Sequence, residues 1–391
     1  MNQLREHAPI SRATLADLTG LNKTTVSSLV QELIEHQYVH EVGLDTSGVG
    51  RPAIMLELNP AAGSIVSAEI GVDFINVVRT DFSAQTMWQH KESHHNQSQP
   101  EILDRTLALL HQAIDGHVDG LLGIALGVPG LVDFDSGLLH FAPNLGWNNI
   151  PLGAILRDEF GKDTPIFVDN EANLAALGEY FFGAARGVNE VLYISVGVGL
   201  GGGIVRNGAL YRGKTGFAGE FGHMVLDPDS TIRCNCGNYG CWETLVSQST
   251  VFRTIIRRVE AGEQTYLTDL TGGDLSQLNV PLVVEAARSG DALALDVLND
   301  VGRNLGMGIT SLVNALDPDL VVLGGMLSTA SAYLLPRVEE ELAERALSHD
   351  AGSTRVVIAS HGFDACVMGG VATVYQTILT QPGEMARQTF G

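Results

Sequence analysis

The sequence predicts an α/β protein in two parts. Residues 1–60 read as a winged helix-turn-helix, followed by a two-lobed body with its first lobe over 61–183 and its second over 184–391. Three observations carry this. Residues 12–35 hold two short amphipathic segments around a glycine. From Gly63 the chain alternates apolar strand-like runs with amphipathic helical ones. Three of the four cysteines, Cys234, Cys236 and Cys241, fall within eight residues, with His223 eleven positions upstream. At 391 residues the chain exceeds the length expected of one domain.

In the first part, Leu15 and Leu18 mark a helix that breaks at Gly20. A second begins near Asn22, with Val26, Leu29, Val30, Leu33 and Ile34 at i, i+3, i+4, i+7, i+8 spacing. Two helices around a glycine-containing turn are a helix-turn-helix pattern. No acidic residue occurs from Leu18 to Gln31, and the outer face carries small hydroxyls and one lysine, which suits close approach to bases and phosphates. Tyr38–Val42 and Ala53–Leu58 read as strands joined by a glycine-rich tip, Gly43–Pro52, that presents Arg51 to a minor groove or phosphate. The candidate DNA contacts are Arg12, Lys23, Thr24, Thr25, Ser27, Ser28 and Arg51. A protein-docking helix pair is the competing reading, because residues 1–60 hold four cations against seven acids; the acid-free face favours DNA. Only about ten residues precede Ser11, so the first helix is expected to be short and poorly packed.

In the body, Ser64–Gly71 is a buried strand with Ile75–Arg79 as its hairpin partner. His90, His94 and His95 follow in a polar stretch expected to be a solvated loop. Glu101–Ile114 is a helix and Leu121–Leu126 a strand; Pro143–Trp147 is a polar-aromatic loop. Ile166–Val168 is a strand that stops at Asp169, where Asn170-Glu171-Ala172-Asn173 opens a helix. Ligands in α/β sheets sit beyond the carboxyl ends of strands, so Asn170 and Glu171 are well placed. Val191–Val196 leads into Gly197–Gly203, whose five glycines read equally as a phosphate-binding loop or a hairpin corner. Helices are expected at 244–260, 281–290 and 292–316, strands at Leu320–Leu323 and Arg355–Ala359, and a last helix opening at Gly369-Gly370 and returning to the first lobe. Cys366 reads as a small buried apolar residue.

Three thiolates and an imidazole make a complete tetrahedral set for a structural zinc, with His223, Cys234, Cys236 and Cys241 as ligands. A disulfide would leave one thiol over and would not account for the histidine. Gly237 and Gly240 let the loop turn so that the cysteines converge.

The net charge of −22 argues against non-specific nucleic-acid binding, so any DNA contact must come from a local patch. No apolar run approaches the ~20 residues of a membrane span. The absence of a charged-then-apolar leader, with a metal-like cysteine cluster, points to the cytoplasm.

Ala218-Gly219-Glu220-Phe221-Gly222-His223, then Cys-x-Cys-Gly-x-x-Gly-Cys-x-Glu ending at Glu243, resembles the signature of the ROK family (repressors, open reading frames, sugar kinases), and the resemblance covers nearly the whole chain. It implies a body like those of sugar kinases, Hsp70 and actin. It also implies a zinc that braces a loop, and a sugar held by Asn170, Glu171, Glu220, His223 and Glu243. The Gly-x-Gly-Arg-Pro tip is similar to the wing of the family's repressors.

A kinase of this family needs Asp-x-Gly-Gly-Thr, Gly-Thr-Gly and Asn-Asp-Ala-Asn stretches. Here the first reads Glu69-Ile70-Gly71-Val72-Asp73, the second has Val198 for threonine, and the third places Glu171 at the position of the general base. The resemblance therefore implies retained sugar binding and lost phosphoryl transfer, with Glu171 a relic and no catalytic residue. It implies a sugar-responsive repressor acting on double-stranded operator DNA as a homodimer or dimer of dimers. Asn170-Glu171-Ala172-Asn173 is similar to the xylose-responsive members, which implies D-xylose, or a glucose-class sugar, as effector. The alternative is an ATP-dependent, glucokinase-like sugar kinase with an added DNA-binding module.

Overall fold

The structure, a computed structural model, describes residues 1–45, 52–95, 97–115, 120–347 and 354–380. The N-terminal module begins with a helix, Asn2–His7, that is as short as expected, but its Leu4 is fully buried. The start of the chain is therefore packed, not loose. Ser11 caps the helix Arg12–Thr19, and Gly20, at φ 69°, turns the chain out of it. Asn22 caps Lys23–Glu35 by accepting the Thr25 N–H at 2.8 Å. Val26 and Val30 face inward, whereas Leu29, at the edge of the apolar arc, stays outward with Leu18. Ile10–Ser11, Ala53–Leu58 and Val39–Asp45 form an antiparallel sheet in that spatial order. Arg51 at the wing tip lies outside the described residues.

This module is not a bead on a string. One continuous apolar core runs from Leu4, Val26, Tyr38 and Leu56 into Ile65, Phe82, Leu122 and Tyr375 of the body. The rings of Tyr38, Phe82 and Tyr375 pack in tilted pairs at centroid distances of 5.4 and 5.1 Å across the junction.

The body holds two five-stranded sheets of the same topology. In the first, Ser64–Ile70 is central; Phe74–Asp81 and Thr86–Ser93 extend it antiparallel on one side, and Leu121–Val128 and Ile166–Asn170 extend it parallel on the other. In the second, Glu190–Val196 is central, with Leu200–Arg206 and Ala209–Leu210 antiparallel, and Leu320–Gly324 and Arg355–Ile358 parallel. Gln99–Ile114 and Leu152–Phe160 cover one face of the first sheet. The last helix, Ala365–Thr380, covers its other face through Val367, Val371 and Val374. The helix Glu171–Phe182 packs on the second sheet, with Ala172 and Ala176 against Tyr193 and Val205. These two helices cross at Gly178 and Gly369, where a methyl group on either would strike the other helix's backbone. The far face of the second sheet carries Gln248–Glu260, Val280–Arg288, Ala292–Leu316 and Ser331–Arg345.

Several expectations are corrected. The stretch holding His90 is a strand, Thr86–Ser93, in which half-buried Trp88, His90 and Glu92 alternate with exposed neighbours. His94 is buried, its Nε2 3.0 Å from the Gly71 carbonyl oxygen, and is not solvated. Gly369 and Gly370 lie inside the last helix, not at its start, because close packing and not a turn requires them there. Trp147 begins a short strand, Trp147–Ile150, and is buried in the first lobe's core. The helix Ser331–Arg345 was not foreseen; it carries Pro336 within it.

Candidate functional site

A cleft of about 740 Å³ separates the two sheets and is lined by the ends of both. That volume is in the ordinary range for a small-molecule site. The candidates Asn170, Glu171, Glu220, His223 and Glu243 all border it, as do Gly71–Asp73 and Gly197–Gly201.

On the second lobe, His223, Cys234, Cys236 and Cys241 each offer a ligand atom, and all four atoms lie within 4.8 Å of one another. Cys236 Sγ and Cys241 Sγ are 3.7 Å apart, as are Cys234 Sγ and His223 Nδ1. A tetrahedral zinc with Zn–S near 2.3 Å sets sulfur–sulfur edges of about 3.8 Å, so the donor set fits that ion. The four cysteines form no disulfide. Nδ1 of His223 faces the thiols, and its Nε2 is 3.8 Å from Glu220 Oε2 on the cleft side. Glu243 is buried between the cluster and the glycine-rich strand. Its Oε1 accepts from the Cys234 thiol at 3.5 Å and its Oε2 accepts the Leu200 N–H at 2.9 Å. A Cβ at Gly199 would come within 2.6 Å of Glu243 Oε2 and 2.7 Å of Asn144 Nδ2 and would push both side chains from their places. The glycine run is thus a hairpin corner that makes room for a carboxylate.

On the opposite wall, Asn170 caps the helix Glu171–Phe182. Its Oδ1 accepts from the Ala172 and Asn173 N–H groups and its Nδ2 donates to the Gly130 carbonyl at 3.0 Å. One amide hydrogen is left for a ligand. Burial pushes the Glu171 carboxyl up to about 8, with the charges of Glu220, Asp169 and Glu243 acting in the same direction. Glu69 is pushed up to about 8 by burial and then by Glu171, against the opposing charge of Lys91. Burial also raises Glu220. Two carboxyls that hold their protons near neutrality are hydrogen-bond donors as well as acceptors.

Sequence reasoning missed the groups that join the lobes. Arg212 of the second lobe grips the buried Asp169 with two hydrogen bonds, at 3.0 and 2.6 Å, and lies 3.9 Å above the Phe134 ring. Asn235, beside the metal ligands, donates to Asn144 of the first lobe at 2.7 Å. The only sequence signal for Arg212 is a cation, with Lys214 two residues on, in a glycine-rich stretch, which no spacing pairs with Asp169. Lys91 lies over the rings of Phe74 and Phe363, 4.4 and 4.9 Å from their centroids, at the Gly71–Asp73 end of the cleft. Asn144 lines the cleft, while Asp133 closes its own turn onto Ser136. Cys366 is buried but borders the cleft, and burial and the nearby carboxyls keep it a thiol.

Of the DNA candidates, Lys23, Thr24, Ser27 and Ser28 are exposed on one helix and Thr25 is half-buried. Ser27 Oγ donates to the Lys23 carbonyl, and Arg12 donates to Glu41 at 2.9 Å. An exposed pair of this kind is worth about 0–1 kcal/mol and yields easily to a phosphate.

Comparison with known proteins agrees with this geometry. The ROK family profile matches residues 65–377, and the IclR helix-turn-helix domain profile matches residues 1–43. The xylose repressor of Bacillus subtilis strain 168 is 34% identical over 376 residues, covering 94% of this chain and 92% of that one. A crystal structure of a ROK family transcriptional regulator, a homologue of the Escherichia coli Mlc protein, superimposes with a TM-score of 0.80 at 28% identity, covering 99% of this chain and 95% of that one. A ROK family glucokinase from Streptomyces griseus, solved with glucose and AMPPNP, gives 0.73 at 30% identity, covering 80% of this chain and all of that one.

Proposed function

This chain belongs to the ROK family and carries a helix-turn-helix domain, and from that premise we propose that it is a sugar-responsive transcriptional repressor with D-xylose as its effector. One observation carries the reading. Glu171, Glu220, His223 and Glu243 converge on a cleft between the lobes of a body whose core is continuous with a helix-turn-helix module. Polyol recognition needs such a mixed donor and acceptor set. The similarity to xylose repressors supports the pentose, and the proton-holding Glu171 suits a sugar that lacks a sixth carbon.

His223, Cys234, Cys236 and Cys241 would hold a zinc, which supplies bracing and no chemistry. His223 then keeps Nε2 toward the sugar, and Glu243 stays held by the Leu200 N–H of the glycine hairpin, since a zinc-bound Cys234 thiolate has no proton to give it. Sugar bound between Asn170–Glu171 and the Glu220–Glu243 loop favours the closed form of the lobes. In a homodimer, closure alters the spacing of two modules that must meet half-sites about 34–36 Å apart, and DNA is released. Lys23, Thr24, Thr25, Ser27, Ser28, Arg12 and the wing's Arg51 are the proposed DNA contacts. The protein works in the cytoplasm; no helix among the described residues is long and apolar enough to cross a membrane.

The likeness to a glucokinase favours one rival, a working sugar kinase. Against it, Val72 and Asp73 line the cleft where the resemblance to kinases calls for the glycine and threonine of a phosphate loop. Calorimetry with D-xylose, alongside an ATP-consumption assay with D-xylose and D-glucose, separates the two. Saturable xylose binding without ATP turnover is expected; sugar-dependent ATP turnover overturns the non-enzymatic reading.

A further inference from the structure

The winged module touches both halves of the body, in two different ways. Its apolar core merges with the first sheet and the last helix through Tyr38, Phe82 and Tyr375. That contact is broad and fixes the module to the first lobe. A second contact is polar and lies beside Phe182, which packs against the same core with its ring 6.2 Å from that of Tyr375. Arg5, on the helix Asn2–His7, donates from Nη1 to the Phe181 carbonyl oxygen at 2.6 Å, and its guanidinium lies 4.6 Å from the centroid of the Phe181 ring. Phe181 is in the last turn of the helix Glu171–Phe182, where backbone carbonyls have no partner within the helix. That helix packs on the second sheet and begins at Asn170–Glu171 on the cleft wall. Its twelve residues span about 18 Å.

The same helix end is where the chain crosses between lobes. Glu179 is fully buried, and its carboxylate accepts three backbone N–H groups: Ala184 at 2.8 Å, Ser360 at 3.0 Å and His361 at 2.8 Å. Ala184 leads from the helix toward the strand Glu190–Val196. Ser360 and His361 lead from the strand Arg355–Ile358 to the last helix. One carboxylate therefore ties both crossovers together, two residues from the carbonyl that Arg5 holds. A rotation of the lobes pivots where two crossing segments are pinned, and an arginine seated there registers it.

We propose that Arg5 is a positioning residue that couples cleft closure to the DNA-binding module, by holding the module's first helix to the end of Glu171–Phe182 beside the Glu179 pin. This deepens the repressor reading and rests on it. With the seat intact, a shift of that helix is passed to a module otherwise fixed to the first lobe. With it broken, the module stays folded on its apolar contacts, Phe182 included, but follows the end of that helix less closely.

The test compares the full-length wild type, R5A and R5K by fluorescence anisotropy on DNA from upstream of the coding region, with and without D-xylose. Thermal melts and calorimetric D-xylose affinities are measured in parallel. Allosteric ratios of affinity are typically 5–150-fold. R5A is expected to bind DNA without sugar within about threefold of wild type and to bind D-xylose normally, while the sugar-induced ratio collapses toward one. R5K, which keeps a donor for the carbonyl but not the planar stack, should recover part of the ratio. A loss of melting temperature and sugar-free DNA affinity in both variants, with the ratio unchanged, makes Arg5 merely structural and overturns the proposal. A wild type that binds DNA but ignores D-xylose overturns it at its premise, and that failure shows in the wild-type arm alone.

Discussion

Glu69 and Glu171 hold protons that ordinary glutamates release. Between the ordinary carboxylate range and about pH 8, the folded chain therefore binds more protons than the unfolded one. Stability is greatest at or below pH 4.5 as far as these two groups are concerned, and falls as pH rises toward 8. E69Q removes one titration, so its melting temperature should decline less steeply than wild type between pH 5 and pH 8; identical slopes would contradict the assignment. At the metal loop, C236S should lose bound zinc by elemental analysis and with it at least tenfold in sugar response, while still binding DNA. A variant without zinc but with undiminished sugar sensitivity would show that the metal does not brace the site. The His–Cys quartet was legible because three thiols and an imidazole lie within nineteen residues of sequence. Asp169–Arg212 was not, because a pair 43 residues apart has no periodicity to announce it.

Among the elements, the two crossing helices are the most exposed to change. A side chain at Gly369 meets the Leu174 carbonyl, and one at Gly178 meets the Ala365 carbonyl. Backbone cannot yield as a side chain does, so G369V should destabilise by about 3 kcal/mol or more, at or beyond the upper end of ordinary overpacking costs. Urea unfolding measures it, and a change below about 1 kcal/mol would mean the helices can slide apart. The helix-turn-helix, the central strands and Asn170's place at a strand end were readable, since each rests on local caps and apolar spacing. The strand Thr86–Ser93 was not. As an edge strand with polar residues on both faces, it carries no apolar run. The packing of the helix Asn2–His7 was missed for a related reason: six residues give too few turns for a periodic signal of its buried face, which Leu4 supplies.

Across the whole molecule, the duplicated sheet topology places the cleft between two equivalent halves, and the DNA module shares the core of one of them. The account predicts that what happens in the cleft is read at the DNA. The direct measurement is a gel shift of the purified chain on DNA from upstream of its own coding region, with D-xylose and then D-glucose titrated in. A retained band released by D-xylose at concentrations that leave non-specific binding intact is the predicted result. A retained band indifferent to both sugars would contradict the claim that the cleft controls the DNA module.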